Sequence, residues 1–182
     1  MSTSTKIFIP RDTASLSMGG DEVASKIEEI AQKEKKEVTI IRNGSWGMSW
    51  LEPLIEIEIE GHRVAYGPIS ETDIIDLFKA DFLNGGSQFL KLGNTKDIPY
   101  LKNQQRWTFR KCGLIDPISI DDYIKNKGFS GLGIALKKGS DYVLKELEKS
   151  GLRGRGGAGF PTAIKWQTVA NAEGAQKYIT CN

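Results

Sequence analysis

The sequence holds two cysteines, Cys112 and Cys181, and one histidine, His62. Two distant cysteines make neither a disulfide scaffold nor a four-ligand metal site. The single histidine sits at an expected hairpin and reads as incidental, and the sequence shows no nucleophile–base constellation, so hydrolytic catalysis has no support. No apolar run reaches the ~20 residues that a membrane span needs, and direct membrane insertion is not expected. Residues 1–10 lack the apolar core and cleavage site of a signal peptide, which makes the cytoplasm the default location. Nor is there an excess of charge of one sign: the formal net charge is +2, which argues against a dedicated nucleic-acid binder. There is no internal repeat and no low-complexity segment.

What remains is the composition of a globular protein, 39% hydrophobic and 26% charged over 182 residues, enough for one good core or two small ones. Residues 6–10 read as a strand. Residues 21–33 read as a helix, with Val23, Ile27, Ile30 and Ala31 on one face. Residues 38–41 read as a second strand. Ile55, Ile57 and Ile59 alternate with Glu56, Glu58 and Glu60, the pattern of a half-buried strand. Gly61 then turns the chain into residues 62–66, predicting a hairpin. Ser70 to Asp73 form a loose capping box before Ile74, Ile75, Leu77 and Phe78. The order β-α-β, then β-β-α, is that of a thioredoxin-like domain over residues 1–80, although other small α/β folds share it.

From Asn84 to about Gln105 periodicity is low, which predicts a linker (81–118) wrapping across its neighbour. Residues 119–122 and the glycines at 128, 131 and 133 predict short helices and turns. Ser140 is expected to cap a helix carrying Val143, Leu144 and Leu147, which Gly151 ends. Pro161 to about Ala170 read as a further helix and residues 178–181 as a strand. Residues 119–182 are thus expected to begin a second α/β domain.

The densest signal is Gly151 to Trp166, with five glycines, two arginines, a proline and a lysine in sixteen residues. Glycines let a backbone approach a ligand closely. Pro161 suits the first turn of a helix. A glycine loop feeding a helix N-terminus is an anion site, because free N–H groups and the helix dipole point at the ligand. The alternative is a loop serving only tight packing or flexibility. Gly154 to Gly159 formally match G-x-G-x-x-G, with Glu173 where a ribose-binding acid would be sought, but a helical pattern precedes the loop where that fingerprint needs a strand. No Gly-Lys-Ser/Thr follows, so it is no Walker A loop either.

The run Ser150-Gly-Leu-Arg-Gly-Arg-Gly-Gly-Ala-Gly-Phe-Pro-Thr162, with Lys165-Trp166 and Lys177-Tyr-Ile-Thr-Cys-Asn182, resembles the FMN- and NADH-binding subunit of respiratory complex I. The same subunit type serves NAD-reducing hydrogenases and NAD-dependent formate dehydrogenases. Gly113 to Pro117 and Ser119 to Tyr123 look like that family too. Ile41 to Pro53 and Ile98 to Lys102 look most like the beta, diaphorase subunit of molybdenum-containing, NAD-dependent formate dehydrogenase. The resemblance covers nearly all of this chain but only the N-terminal third or so of such a subunit. It implies a thioredoxin-like domain followed by the start of a Rossmann-like FMN-binding α/β domain.

By motif position the resemblance implies that Gly154, Arg155, Gly156 and Gly157 line FMN, that Lys165 approaches it from the following helix, and that Asn182 touches it from a strand end. Phe160 stands where a family phenylalanine contacts the nicotinamide nucleotide; the alternative is a residue anchoring the helix start. Arg153 is expected to be a surface or subunit-contact arginine. Thr168 stands where some relatives carry an aromatic. The implied activity is electron transfer between NAD(H) and Fe–S clusters through FMN. The implied partners are a [2Fe–2S] thioredoxin-like subunit and a molybdenum-containing catalytic subunit. A [4Fe–4S] domain is expected only downstream of Asn182, and residues 1–182 alone are expected to bind FMN weakly and not to oxidise NADH.

Residues 44–49 resemble the second cysteine pair of thioredoxin-like [2Fe–2S] ferredoxins, with Ser45 and Ser49 in the cysteine places. Clusters of this class need four ligands of thiolate type, so no cluster is expected on residues 1–80, and the domain is read as a docking element. Cys112 and Cys181 are expected to be small buried hydrophobes. The alternative for the whole chain is a flavin-free adaptor, with apolar docking surface near residues 107–118 and 177–182.

Overall fold

The computed structural model describes residues 4–174, 176–178 and 180. The chain divides into two compact units, residues 1–126 and 127–182.

The first unit is built on a five-stranded sheet of β1 (Thr5–Phe8), β2 (Val38–Ile41), β3 (Ile55–Ile59), β4 (His62–Tyr66) and β5 (Lys91–Asn94), in the order β2-β1-β3-β4-β5. β1 and β2 are parallel, and every other pair is antiparallel. A short helix α1 (Thr13–Ser17) and the amphipathic α2 (Gly20–Lys33) make the β1–β2 crossover. α3 (Ile74–Lys79) follows the hairpin, after the expected capping box of Ser70 and Asp73. This is the thioredoxin-like arrangement that the β-α-β, β-β-α order implies.

One sheet face packs on α2 and α3. Val23, Ile27 and Ile30 of α2 meet Ile7, Ile55, Ile57, Tyr66 and Leu77 in a buried core. Asp21 and Glu22 in the first turn of α2 and Lys33 in its last complement the helix dipole. The opposite face is covered as well, by Trp46, Met48, Leu54, Ile98 and Leu101, the last of these on α4 (Pro99–Lys102).

That second layer corrects two expectations. The stretch 84–105 is not irregular throughout, because β5 pairs with β4 and α4 packs on the second core; Pro99 begins α4, the first-turn place that proline tolerates. And Glu56 does not face water: it is fully buried, while Glu58 and Glu60 are exposed. Alternation marks the two faces of a strand but says nothing about a covering built from residues outside it.

α5 (Ile120–Lys125) closes the first unit, capped by Ser119 Oγ accepting from the Asp122 amide at 3.1 Å. The second unit holds α6 (Ser130–Lys138), α7 (Ser140–Ser150) and α8 (Thr162–Asn171). Ser140 is the first residue of α7 and makes no capping bond; Gly139 precedes the helix in its place. Gly151 ends α7 at φ +63, as expected of a left-handed cap. Pro161 stands one residue ahead of α8. The strand expected over 178–181 falls in part on Ile179 and Cys181, outside the described residues; Tyr178 and Thr180 lie in no strand. None of the described residues of this unit is buried. No helix among the described residues is long and apolar enough to cross a membrane.

Candidate functional site

The glycine loop joins α7 to α8 and is closed at its neck by an antiparallel bridge between Arg153 and Pro161. The Gly154 amide donates to the Phe160 carbonyl and the Thr162 amide to the Leu152 carbonyl, both at 2.9 Å. Gly157 (φ +130) and Gly159 (φ +60) take backbone conformations that other residues avoid. Arg155 is exposed, and its Nη1 donates back to the Arg153 carbonyl at 3.2 Å. α8 has no acidic residue in its first turn and no side chain capping it, so nothing there competes with an anion for the helix end.

Of the residues singled out from the sequence, Phe160 and Lys165 are brought together: Lys165 Nζ lies 5.7 Å from the centre of the Phe160 ring. Gly154, Arg155, Gly156 and Gly157 lie on the same loop, and Asn182 falls outside the described residues. The open groove between α7 and α8, lined by Leu144, Leu147, Leu152 and Ile164, contains none of these residues. The donor set of exposed backbone N–H groups, a guanidinium and an ammonium fits a dianionic phosphate.

A second polar centre, missed in the sequence, lies on the covered face of the first unit. Four donors converge on the buried Glu56 carboxylate: Trp46 Nε1 (2.9 Å), Asn43 Nδ2 (3.3 Å), Arg63 Nη1 (3.2 Å) and Thr95 Oγ1 (2.8 Å). Burial pushes the Glu56 carboxyl above the usual range, against the Arg63 charge and these hydrogen bonds. Arg63 stacks 3.5 Å above the Phe8 ring centre and donates to the carbonyls of Gly113 (2.7 Å) and Leu114 (3.0 Å). Asn43 Nδ2 also reaches the Gly113 carbonyl at 2.8 Å, and Arg11 pairs with Asp116 at 3.2 Å. These side chains clamp residues 113–116 to the sheet. A lone arginine on a strand gives no sequence signal for this.

Ser45 Oγ donates to Glu52 Oε1 at 2.7 Å and accepts from the Gly47 amide at 2.9 Å, so its oxygen is occupied within the loop. Glu52 is buried and also accepts from the Leu54 amide. Burial lifts its carboxyl above the usual range, and the charge of Asp12 acts in the same direction. No group of three or more metal-ligating side chains occurs among the described residues. Cys112 is exposed, contrary to expectation; it lies next to the clamped Gly113, whose buried backbone leaves the preceding side chain to solvent. His62 is exposed on β4.

Residues 147–182 match the family described as the Nuo51 FMN-binding domain. The chain is 51% identical over 81 residues to the HndC component of the NADP-reducing hydrogenase of Solidesulfovibrio fructosivorans, a match covering 44% of this chain and 16% of that protein. It is 42% identical over 64 residues to a subunit of the NADH-quinone oxidoreductase of Streptomyces coelicolor, covering 35% of this chain and 14% of that one. The chain thus spans well under a fifth of the length of these relatives. A thioredoxin-like [2Fe–2S] ferredoxin of Aquifex aeolicus superposes with a TM-score of 0.45 at 15% identity, over 54% of this chain and 98% of the ferredoxin. Residues 147–182 are thus similar to part of a Nuo51 FMN-binding domain, and the chain is similar over part of its length to HndC and to a subunit of an NADH-quinone oxidoreductase.

Proposed function

We propose that this chain is the N-terminal segment of a diaphorase subunit that moves electrons between NAD(H) and Fe–S clusters through FMN. The observation that carries the proposal is the Nuo51 match across the glycine loop and α8, with 51% identity to HndC. In this reading Gly154, Arg155, Gly156, Gly157, Lys165 and Asn182 hold the flavin phosphate and ribityl chain. Backbone N–H groups and two cations balance the phosphate charge, and the Phe160 face borders the nicotinamide. FMN, when bound, supplies hydride exchange with NAD(H) and one-electron exchange with clusters. No side chain of this chain need act as acid or base. The second unit has no buried residue among those described, and its Leu136, Ile164, Trp166 and Val169, all at least half exposed, make apolar surface of the kind that partners or further domains cover.

We also propose NAD-dependent formate dehydrogenase as the parent complex, with a [2Fe–2S] thioredoxin-like subunit and a molybdenum-containing subunit as partners and a [4Fe–4S] centre in the downstream part of the subunit. This rests on the resemblance of residues 41–53 and 98–102, since the relatives' names are those of a hydrogenase and of quinone oxidoreductases. The flavin-free adaptor reading is favoured by one observation, the exposure of Trp107, Phe109 and Ile118 on the first unit. Titration of the full chain with FMN, followed by flavin fluorescence, separates the two. Weak saturable binding that Lys165→Ala abolishes is expected; no saturable binding would give the adaptor the lead. NADH-driven dye reduction by this chain is expected to be absent.

A further inference from the structure

The neck of the glycine loop rests on two backbone hydrogen bonds, and between them lie glycines at 154, 156, 157 and 159. A stretch so rich in glycine loses much conformational entropy when it is ordered. One side chain spans it: Arg153 Nη1 donates to the Gly159 carbonyl at 2.9 Å, six residues on. The other arginine makes a longer bond, from Arg155 Nη1 to the Arg153 carbonyl at 3.2 Å. The two arginines therefore differ in kind. One ties the far side of the loop to its near side; the other leans on the neck with most of its donors free.

We propose that Arg153 is a positioning residue that holds the glycine loop in its ligand-ready shape before any ligand arrives, leaving Arg155 as the cation that meets the phosphate. The proposal rests on the reading of the loop as an FMN site and deepens it. A guanidinium suits the task, because its planar fork holds an acceptor in one direction with little further loss of freedom. A loop ordered in advance lowers the cost of binding. Arg153 is exposed, as the surface reading expects, and its bond to the Gly159 carbonyl gives it a role within the loop as well.

The test compares the wild-type chain with Arg153→Ala, Arg153→Lys and Arg155→Ala. Hydrogen exchange is read at the Gly154 and Thr162 amides without ligand, with α8 amides as the folding control, and FMN affinity is measured in parallel. Arg153→Ala should speed exchange at both neck amides about tenfold, the size of one charge-assisted hydrogen bond, while the α8 amides hold. It should also weaken FMN binding several-fold, and Arg153→Lys should recover part of both. Arg155→Ala should weaken FMN binding and leave exchange unchanged. Unchanged neck exchange in Arg153→Ala, or equal acceleration in Arg155→Ala, overturns the proposal whatever FMN does. Faster neck exchange in Arg153→Ala, with no FMN uptake by any of the four proteins, supports the positioning role and overturns the flavin reading instead.

Discussion

Arg63 donates to the carbonyl of Gly113, fifty residues further along the chain, at 2.7 Å. The same guanidinium pairs with the buried Glu56 and covers Phe8, so one side chain joins the centre of the sheet to the segment leaving it. Arg63→Ala removes the cation paired with the buried Glu56 and the donor to the Leu114 carbonyl, while Asn43 still serves the Gly113 carbonyl, and a loss of about 3 kcal/mol is expected. Arg63→Lys should recover only a part, because an ammonium cannot serve all these acceptors from one planar group. Urea unfolding of the three proteins measures both, and a loss below about 1 kcal/mol for Arg63→Ala would deny the clamp its weight.

Gly113 sits at φ +81, and a Cβ there would come within 2.1 Å of the Trp46 ring. Gly61, in the hairpin turn, has a similar φ of +78 but open space around it. Gly61→Ala should therefore cost only left-handed backbone strain, about 1 kcal/mol. Gly113→Ala adds overpacking against a buried indole and should cost about 3 kcal/mol in all. Equal thermal shifts for the two variants would contradict the close approach of Trp46.

The raised carboxyl of Glu52 makes a pH prediction with a definite sign. The folded state keeps a proton that the unfolded chain gives up near its ordinary pKa of about 4.3. Its contribution to stability is full below that pH and is lost as pH rises to the folded value. Glu52→Gln removes the titration, and a carboxamide can still accept from the Leu54 amide and meet Ser45 Oγ. The stability difference, variant minus wild type, should move in the variant's favour as pH rises above about 4.3 and then level off. A difference that is flat from pH 4 to 8 would show that burial does not hold the proton.

Reconstitution with ferrous iron and sulfide should leave the first unit without a cluster. Its described residues hold a single cysteine, the exposed Cys112, and Ser45 Oγ is already engaged with Glu52 and Gly47. The test is visible absorbance and bound iron after desalting. A stable, stoichiometric chromophore on residues 1–126 would contradict the expectation.

Hydrophobic period carried most of the first unit. Val23, Ile27 and Ile30 marked α2, and the Ile-Glu alternation marked β3 with its turn at Gly61. It did not carry the burial of Glu56, because the covering layer comes from Trp46, in the loop before the strand, and from the later Ile98 and Leu101, which share no period with it. β5 escaped for a related reason: four residues containing Gly93 and Asn94 have no strand signature apart from the partner they find in β4. The glycine loop was legible as a motif, and its Gly157 and Gly159 conformations follow from residue type. The tie from Arg153 to Gly159 was not, since only the turn of the loop sets that distance.

The clamp on residues 113–116 has a kinetic consequence. Its contacts join residues 50, 70 and 105 positions apart, whereas β3 and β4 meet across a tight turn. Closing loops of that length costs entropy that local pairing does not. The hairpin can therefore form early, and the clamp is expected to assemble after the rate-limiting barrier. Substitutions at Asn43, Arg63 or Asp116 would then hasten unfolding and leave the folding rate nearly unchanged, so the strap would govern how long the native state persists and not how quickly it is reached.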